Sequence, residues 1–168
     1  LYRRRQRQMC IRDSGIPVHF FTGNHDLWTF GYLEKEIGLK VHKEPIKIEL
    51  QGKKCFIGHG DGLGPGDRGY KFLKKIFTNS LCQLLFSKFI HPNTSFSIAN
   101  YFSGKSRISN TEIKESFQGE ENEWLVKYSK EILNSEHFDY FVFGHRHLPL
   151  DIKLSEKSRY INLGEWVN

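Results

Sequence analysis

Residues 18–26 of the 168-residue chain read Val-His-Phe-Phe-Thr-Gly-Asn-His-Asp, an apolar run followed by a glycine and three polar residues. Val18–Thr22 is a short, mostly apolar run between Pro17 and Gly23, which predicts a buried β-strand. A glycine at the exit of a strand lets the backbone turn sharply, so the polar residues 24–26 follow directly at the strand's end. We therefore expect a sheet whose strand ends carry chemically active side chains.

The same arrangement occurs twice more. Gly58-His59-Gly60-Asp61 follows a strand predicted over Lys54–Gly58, and Gly144-His145-Arg146-His147 follows one over Phe138–Phe143. Imidazole, amide-carbonyl and carboxylate groups are the donors that divalent cations such as Mn²⁺, Zn²⁺ and Fe²⁺ use. Each motif alone is a weak signal, but the three together, each after an apolar run, indicate the ancestry of a metal-dependent hydrolase.

The spacing of the two histidines in the third motif predicts how they would be used. If the Gly144–His147 segment is extended, the two-residue period of extended backbone points His145 and His147 the same way. Two neighbouring metal ions would then each bind one of these histidines.

The remaining pattern predicts a mixed α/β (α+β) fold. Ile46–Leu50 alternates apolar and charged residues and returns through a turn at Gln51-Gly52 as a hairpin. Further predicted elements are helices over about Leu27–Glu36, ending at Gly38, and Glu123–Leu133, and short closing strands at Ile152–Leu154 and Tyr160–Leu163.

A wide apolar stripe marks the middle of the chain, from Gly69 to about Ile90. Its members recur at helical spacing, with lysines beside them, and such a stripe most often forms part of a core. We therefore predict that the sheet is interrupted by a helical insertion at about 69–135. The stripe contains Leu73, Ile76, Phe77, Leu81, Leu84, Leu85 and Phe89.

Composition narrows the class of protein. With 38% hydrophobic and 26% charged residues, the chain is typical of a globular domain. It contains no apolar run near the roughly 18 residues that a membrane span needs, so we do not expect an integral membrane protein. Its three cysteines, Cys10, Cys55 and Cys82, form no Cys-x-x-Cys pair, which favours buried thiols in a reducing compartment, the cytoplasm.

The net charge of +6 is concentrated at the start of the chain. Residues 1–14, Leu-Tyr-Arg-Arg-Arg-Gln-Arg-Gln-Met-Cys-Ile-Arg-Asp-Ser, hold five arginines against one aspartate. A basic tail for nucleic acid or a membrane is one interpretation. The other, which we favour, is a non-native or disordered arm, because the segment resembles translated sequencing-adapter read-through. The rest of the chain is too weakly basic to indicate a nucleic-acid partner.

The three motifs, in this order, resemble the C-terminal motifs of the calcineurin-like metallophosphoesterases. The loop His59–Asp67 followed by Tyr70, and the segments Phe143–Pro149 and Tyr160–Trp166, are most similar to the UDP-2,3-diacylglucosamine pyrophosphatase family of lipid A synthesis. The similarity extends from Gly15 to the end of the chain. It implies part of a metallophosphoesterase β-sandwich flanked by helices, with a helical lid insertion.

The resemblance also implies a metal site. It makes Asn24, His59 and His145 ligands of one ion and His147 a ligand of another, with two divalent ions as cofactors and Mn²⁺ as the expected metal. The family's first two motifs, an Asp-x-His and a Gly-Asp, are absent from this chain. We therefore expect a C-terminal part of one metallophosphoesterase domain, 15–168, with weak metal binding and little catalysis of its own.

Residues of the catalytic and substrate sites follow from the same resemblance. His25 would lie beside the scissile phosphate, and Asp26 would orient it. Asp67 matches a family carboxylate near the substrate's head group. Ser106 and Asn110, which lie four residues apart and so share one face if the segment is helical, match a family pair that touches the sugar.

The function that the resemblance implies is hydrolysis of the pyrophosphate of UDP-2,3-diacylglucosamine to UMP and the acylated sugar 1-phosphate. Such an enzyme would work in the cytoplasm, peripheral to the cytoplasmic face of the bacterial inner membrane, with a lipid-linked nucleotide sugar as substrate. Two kinds of alternative stay open. Another calcineurin-like phosphodiesterase or phosphatase would hydrolyse simple phosphodiesters or nucleotides and ignore the lipid nucleotide. A non-catalytic module would either hold one structural zinc or bind nucleic acid with a steep salt dependence.

Overall fold

The fold is mixed α/β, as the sequence predicts. A computed structural model describes residues 13–24, 26–65, 68–89, 94, 97, 117 and 119–165. The strands are β1 (His19–Phe21), β2 (Lys40–His42), β3 (Ile46–Leu50), β4 (Lys53–Gly58), β5 (Tyr140–Phe143), β6 (Pro149–Ser155) and β7 (Ser158–Leu163). The helices are α1 (Tyr32–Ile37), α2 (Arg68–Thr78), α3 (Ser80–Phe89) and α4 (Trp124–Leu133).

The larger sheet has five strands in the order β3-β4-β5-β7-β6, and β1 and β2 form a separate parallel pair. The central strands β4, β5 and β7 run parallel, whereas β3 and β6 pair antiparallel at the two edges. Gly58 lies opposite Phe143, and Phe143 lies opposite Asn162. The three parallel strands therefore end level with one another, and the segments that follow them meet at one edge of the sheet.

The β3–β4 hairpin confirms the predicted turn. Gln51 and Gly52 have φ values of 51° and 73°, the pair of positive angles that a two-residue turn needs to match the twist of its strands. Ile46 pairs with Ile57 and Leu50 with Lys53, so the whole of β3 lies against β4.

The core lies where α4 packs on the central strands. Phe141 and Tyr160 are fully buried in the sheet, and Leu125 and Val126 are fully buried on α4. Each such side chain stabilises the fold by roughly 1.5–3 kcal/mol through removal of apolar area from water. The cluster comprises Phe56, Leu125, Val126, Phe138, Phe141, Phe143 and Tyr160.

Two predicted helices have different bounds in the structure. The first begins at Tyr32 rather than near Leu27, because Phe30 and Gly31 take positive φ values of 48° and 74° that a helix does not accommodate. It ends as predicted at Gly38, which adopts the left-handed conformation. The apolar stripe forms two helices, because the Asn79 side chain accepts bonds from the backbone N–H groups of Leu81 and Cys82 and so caps α3.

The prediction that the apolar stripe is buried core is wrong for α2 and α3. Phe72, Leu81 and Phe89 are 66%, 63% and 79% exposed, and α2 has no buried residue. The two helices thus present an exposed apolar face, called here the α2–α3 face, whose large side chains are Phe72, Leu73, Ile76, Phe77, Leu81, Leu84, Leu85 and Phe89.

Other expectations are met in part. Cys55 is buried as predicted, and burial raises the pKa of its thiol, whereas Cys82 is only half-buried and Cys10 lies outside the described residues. Among the helices of the described part of the chain, none has the length and apolar character of a membrane span. Most of the arm at 1–14 and of the segment 90–118 also lies outside the described residues, so the domain limits stay predictions.

Candidate metal centre

The carboxyl edge of the sheet brings the second and third motifs together. His59 directly follows β4, and Gly144 directly follows the neighbouring strand β5. The Gly144 N–H donates to the His59 carbonyl at 3.0 Å, which continues the strand pairing by one step. His59 and Gly144, 85 positions apart in the sequence, are therefore neighbours because of the parallel register of β4 and β5.

The two imidazole rings meet at this edge. His145 Nδ1 lies 3.3 Å from His59 Nε2, with ring centroids 5.2 Å apart. Two nitrogen ligands about 2.0–2.1 Å from one ion, at angles between octahedral and tetrahedral, lie about 2.8–3.4 Å apart. The pair of nitrogens therefore fits one divalent ion.

The first motif approaches the same histidine. A Cβ on Gly23 would lie 2.7 Å from two ring atoms of His59, so the absence of a side chain at this position makes the contact possible. Asn24 follows Gly23 directly, and the Asp26 N–H donates to the Gly23 carbonyl at 3.1 Å, which closes a turn. The turn delivers the first motif to the ring of His59.

The prediction of an extended backbone at Gly144–His147, which would point His145 and His147 the same way, is wrong. The segment is not extended, because His145 and His147 have φ values of 58° and 55°. Left-handed conformations at two non-glycine residues replace the two-residue period with a tight turn. His145 turns to His59, whereas His147 Nδ1 lies 2.7 Å from Glu165 Oε1, after β7.

Burial lowers the pKa of His59 below its usual value. The carboxylates of Asp61 and Asp26 act against this, and the charge of Lys74 and the proximity of His147 add to it. The net lowering keeps the His59 imidazole neutral near pH 7, which is the form that binds a metal ion. It also shows that groups from all three motifs lie within electrostatic range of this ring.

Asp61 anchors helix α2 to the loop that carries His59. Its carboxylate is only 3% exposed, accepts a bond from the Tyr70 hydroxyl at 2.7 Å and pairs with Lys74 Nζ at 3.0 Å. Lys71 Nζ donates to the Gly64 carbonyl in the same loop. Burial acts to raise the pKa of Asp61, but the bonds from Tyr70 and Lys74 outweigh it, so this pKa lies below its usual value.

We expect Asp61→Asn to lower the free energy of unfolding by about 2 kcal/mol at pH 7, since bonds to a charged group contribute roughly 1.5–3 kcal/mol. A carboxyl whose pKa is depressed by folding stabilises the fold above its unfolded pKa, about 3.9, and loses that contribution as the pH falls through the folded pKa. The difference in urea unfolding between wild type and variant should therefore shrink progressively as the pH falls below about 4. The control is Asp151→Asn at the exposed pair with Arg159, which should change stability much less, because water screens the attraction between exposed charges. A pH-independent difference for Asp61→Asn would contradict the assignment.

The structure brings some of the predicted site residues together and leaves others undescribed. His59 and His145 are in contact, and the turn that carries Asn24 and Asp26 reaches the ring of His59. Among the described residues, no group of three or more His, Cys, Asp or Glu side chains lies close enough together to hold a metal ion, so the contacting pair is a partial set. The predicted residues that lie outside the described ranges are His25, Asp67, Ser106 and Asn110.

Three residues of this region were not predicted as site residues. Asp61 belongs to the second motif, and its place two positions after His59 was the signal available. Glu165 contacts His147 through the level ends of β5 and β7, which only the sheet register shows. Glu123 pairs with Arg146 across 23 residues, and no local pattern in the sequence marks that pairing.

No family model matches the chain. The chain is 36% identical over 169 residues to a UDP-2,3-diacylglucosamine hydrolase of Porphyromonas gingivalis (strain ATCC BAA-308 / W83), covering 94% of this chain and 64% of that protein. It is 26% identical over 151 residues to the UDP-2,3-diacylglucosamine hydrolase of Shewanella sp. (strain W3-18-1), covering 90% and 61%. With the protein of that name from Yersinia pseudotuberculosis serotype O:1b (strain IP 31758) it shares 27% identity over 163 residues, covering 93% and 64%. The chain therefore spans somewhat under two thirds of the length of these curated relatives, and the resemblance drawn from its three motifs is confirmed as a similarity to UDP-2,3-diacylglucosamine hydrolases.

Proposed function

We propose that this chain is part of a UDP-2,3-diacylglucosamine hydrolase of the calcineurin-like metallophosphoesterase family. The observation that carries the proposal is the 3.3 Å approach of His59 and His145, which follow two of the three ordered motifs. The names of the relatives supply the substrate, and the similarity extends over 94% of the chain. The reaction would split the pyrophosphate into UMP and 2,3-diacylglucosamine 1-phosphate.

The chain's own residues would bind the two metal ions and orient the proton donor. His59 and His145 would hold one divalent ion with the amide oxygen of Asn24, and His147 would bind a second. Two such ions, with Mn²⁺ as the proposed metal, would lower the pKa of a bound water and offset charge on phosphoryl oxygens. His25 would hold the proton that the leaving oxygen needs, and Asp26 would orient it.

The α2–α3 face fits the lipid part of this substrate. Two acyl chains need an apolar surface, and Phe72, Leu81 and Phe89 leave most of theirs exposed. Lys71 and Lys74 on α2 point instead to the loop 61–64, where they bond to Gly64 and Asp61. We propose that the α2–α3 face contacts the acyl chains and the cytoplasmic surface of a bacterial inner membrane, as a peripheral contact.

We expect the chain to sediment with vesicles of phosphatidylglycerol and phosphatidylethanolamine. Phe72→Ser together with Leu81→Ser should lower the partition coefficient at least about tenfold, because each fully buried large apolar side chain contributes roughly 1.5–3 kcal/mol. The matched control is Leu50→Ser, which removes an apolar side chain that is 48% exposed at the far end of β3. Equal losses in the double variant and the control would argue against a lipid role for the α2–α3 face.

The function is tested by release of UMP from UDP-2,3-diacylglucosamine. The suitable protein is the completed chain, in which the part of the P. gingivalis relative that this chain does not match is joined to it. We expect Mn²⁺-dependent release of UMP from the completed chain and little from the 168 residues alone. Hydrolysis of bis-p-nitrophenyl phosphate without attack on the lipid nucleotide would favour another phosphodiesterase of the same family.

A further inference from the structure

We propose that Arg146 and Glu123 are positioning residues that hold the histidines on either side of Arg146 in place. This inference rests on the proposed function, because those histidines matter only if they bind metal. It goes beyond that function in assigning a role to an ion pair that lies outside the proposed ligands.

The ion pair is bidentate, with two hydrogen bonds between the same two side chains. Arg146 Nε donates to Glu123 Oε2 at 3.0 Å, and its Nη2 donates to Glu123 Oε1 at 2.7 Å. The two side chains are only 9% and 2% exposed. A planar guanidinium bound at two points to one carboxylate is held in one orientation, and this limits where the backbone of Arg146 can lie relative to Glu123.

That backbone lies between two residues in an unfavourable conformation. His145 and His147 have left-handed φ values, which non-glycine residues rarely adopt and which persist only where their surroundings enforce them. The Arg146 N–H donates to the Gly144 carbonyl at 2.6 Å, and the same carbonyl accepts a bond from the Asn162 side chain. The turn is therefore fixed at its start by β7 and at its centre by the Arg146 side chain.

Glu123, the acidic partner of the ion pair, is connected to the core. Glu123 immediately precedes α4, whose Leu125 and Val126 are fully buried. Trp124, which directly follows Glu123, lies with its ring edge-on to that of His145, and the ring centroids are 5.8 Å apart. The ion pair thus connects the turn that carries His145 to a helix that cannot shift without disturbing the core.

A contribution to stability alone is the competing explanation. Replacing a buried ion pair with apolar side chains of similar size is often neutral or stabilising, because desolvation offsets the attraction of the charges. Such a variant can therefore keep the stability of the fold while the position of the turn at His145 and His147 changes. If the ion pair positions the histidines, an apolar replacement that keeps the fold will still release the turn.

The experiment compares the 168-residue wild type with Glu123→Leu/Arg146→Met and with Arg146→Lys, which keeps the charge but not the two-point bond. The first readout, in the absence of metal, is the nuclear Overhauser effect between the rings of His59 and His145. The second is Mn²⁺ affinity, followed by the EPR signal of free Mn²⁺. The matched control is Asp151→Leu/Arg159→Met, which removes a two-point pair that is about half exposed on β6 and β7.

Positioning predicts that both variants fold but lose the ring-to-ring signal, with any Mn²⁺ affinity falling about 10- to 100-fold, as for other partners that orient ligands. The control should keep the ring-to-ring signal and the affinity of wild type. A folded variant that keeps both would overturn the inference. Failure of Arg146→Lys to fold would overturn it too, since the ion pair would then act as a stabiliser. A wild type that shows the ring-to-ring signal but binds no Mn²⁺ would count against the proposed metal site, while the signal still decides the positioning role.

Discussion

Replacing His59 or His145 with alanine is expected to abolish Mn²⁺-dependent release of UMP by the completed chain. The two nitrogens at 3.3 Å are the proposed shared ligands of one ion, and either substitution leaves that ion with a single histidine of the pair. Even residues that only orient a ligand contribute roughly 10- to 100-fold to metal affinity, so loss of a direct ligand should exceed about 100-fold. Mn²⁺ titration measures the loss of metal affinity, and the rate of UMP release measures the loss of turnover.

His137→Ala is the control for these substitutions. His137 is exposed and precedes β5, whereas His145 follows it, so the two histidines lie at opposite ends of one strand. We expect the control to keep wild-type turnover and affinity. Unchanged turnover after His59→Ala or His145→Ala would refute the assignment of ligands.

Adding a single methyl group at Gly23 is also expected to weaken metal binding. The Cβ of Gly23→Ala would lie 2.7 Å from Cε1 and Nε2 of His59, closer than any real contact, so the ring must move. His145 already lies against the same ring, with its Nδ1 3.3 Å from His59 Nε2, so moving the ring changes this contact. We expect metal affinity to fall at least about tenfold, in the range seen when a ligand loses its orientation.

The matched control is Gly69→Ala on α2, where an added Cβ meets nothing within 4 Å. Alanine should stabilise this helical position by roughly 0.5–1 kcal/mol and leave metal affinity unchanged. Calorimetric Mn²⁺ titration of both variants is the measurement. If Gly23→Ala binds as tightly as Gly69→Ala, then His59 is not held where the metal site needs it.

The sequence predicted the parts of the fold that local patterns determine. The alternation in Ile46–Leu50 and the turn at Gln51-Gly52 predicted the hairpin, and the apolar run at Phe138–Phe143 predicted β5, because strand period and turn chemistry are short-range properties. The convergence of His59 and His145 was also predictable, since both follow strands that end in glycine. Their actual contact depends on the level ends of β4 and β5, which is a property of the sheet's register.

The remaining features depend on partners that lie far apart along the chain. The burial of the apolar stripe was predicted wrongly because periodicity identifies an apolar face without showing what covers it. The turn at His145 and His147 was predicted as extended because its left-handed angles are enforced from outside by Asn162 and Glu123. Local propensity cannot report such tertiary constraints, and here they act at the residues on which the proposed chemistry depends.

Anomalous diffraction at the manganese edge, from crystals of the chain soaked in Mn²⁺, tests whether His59 and His145 share one ion. If they do, a peak lies within about 2.0–2.3 Å of both His59 Nε2 and His145 Nδ1. Ordered Mn²⁺ elsewhere, for instance at the pair formed by His19 Nδ1 and His42 Nε2, 2.8 Å apart, with none between His59 and His145, would contradict it.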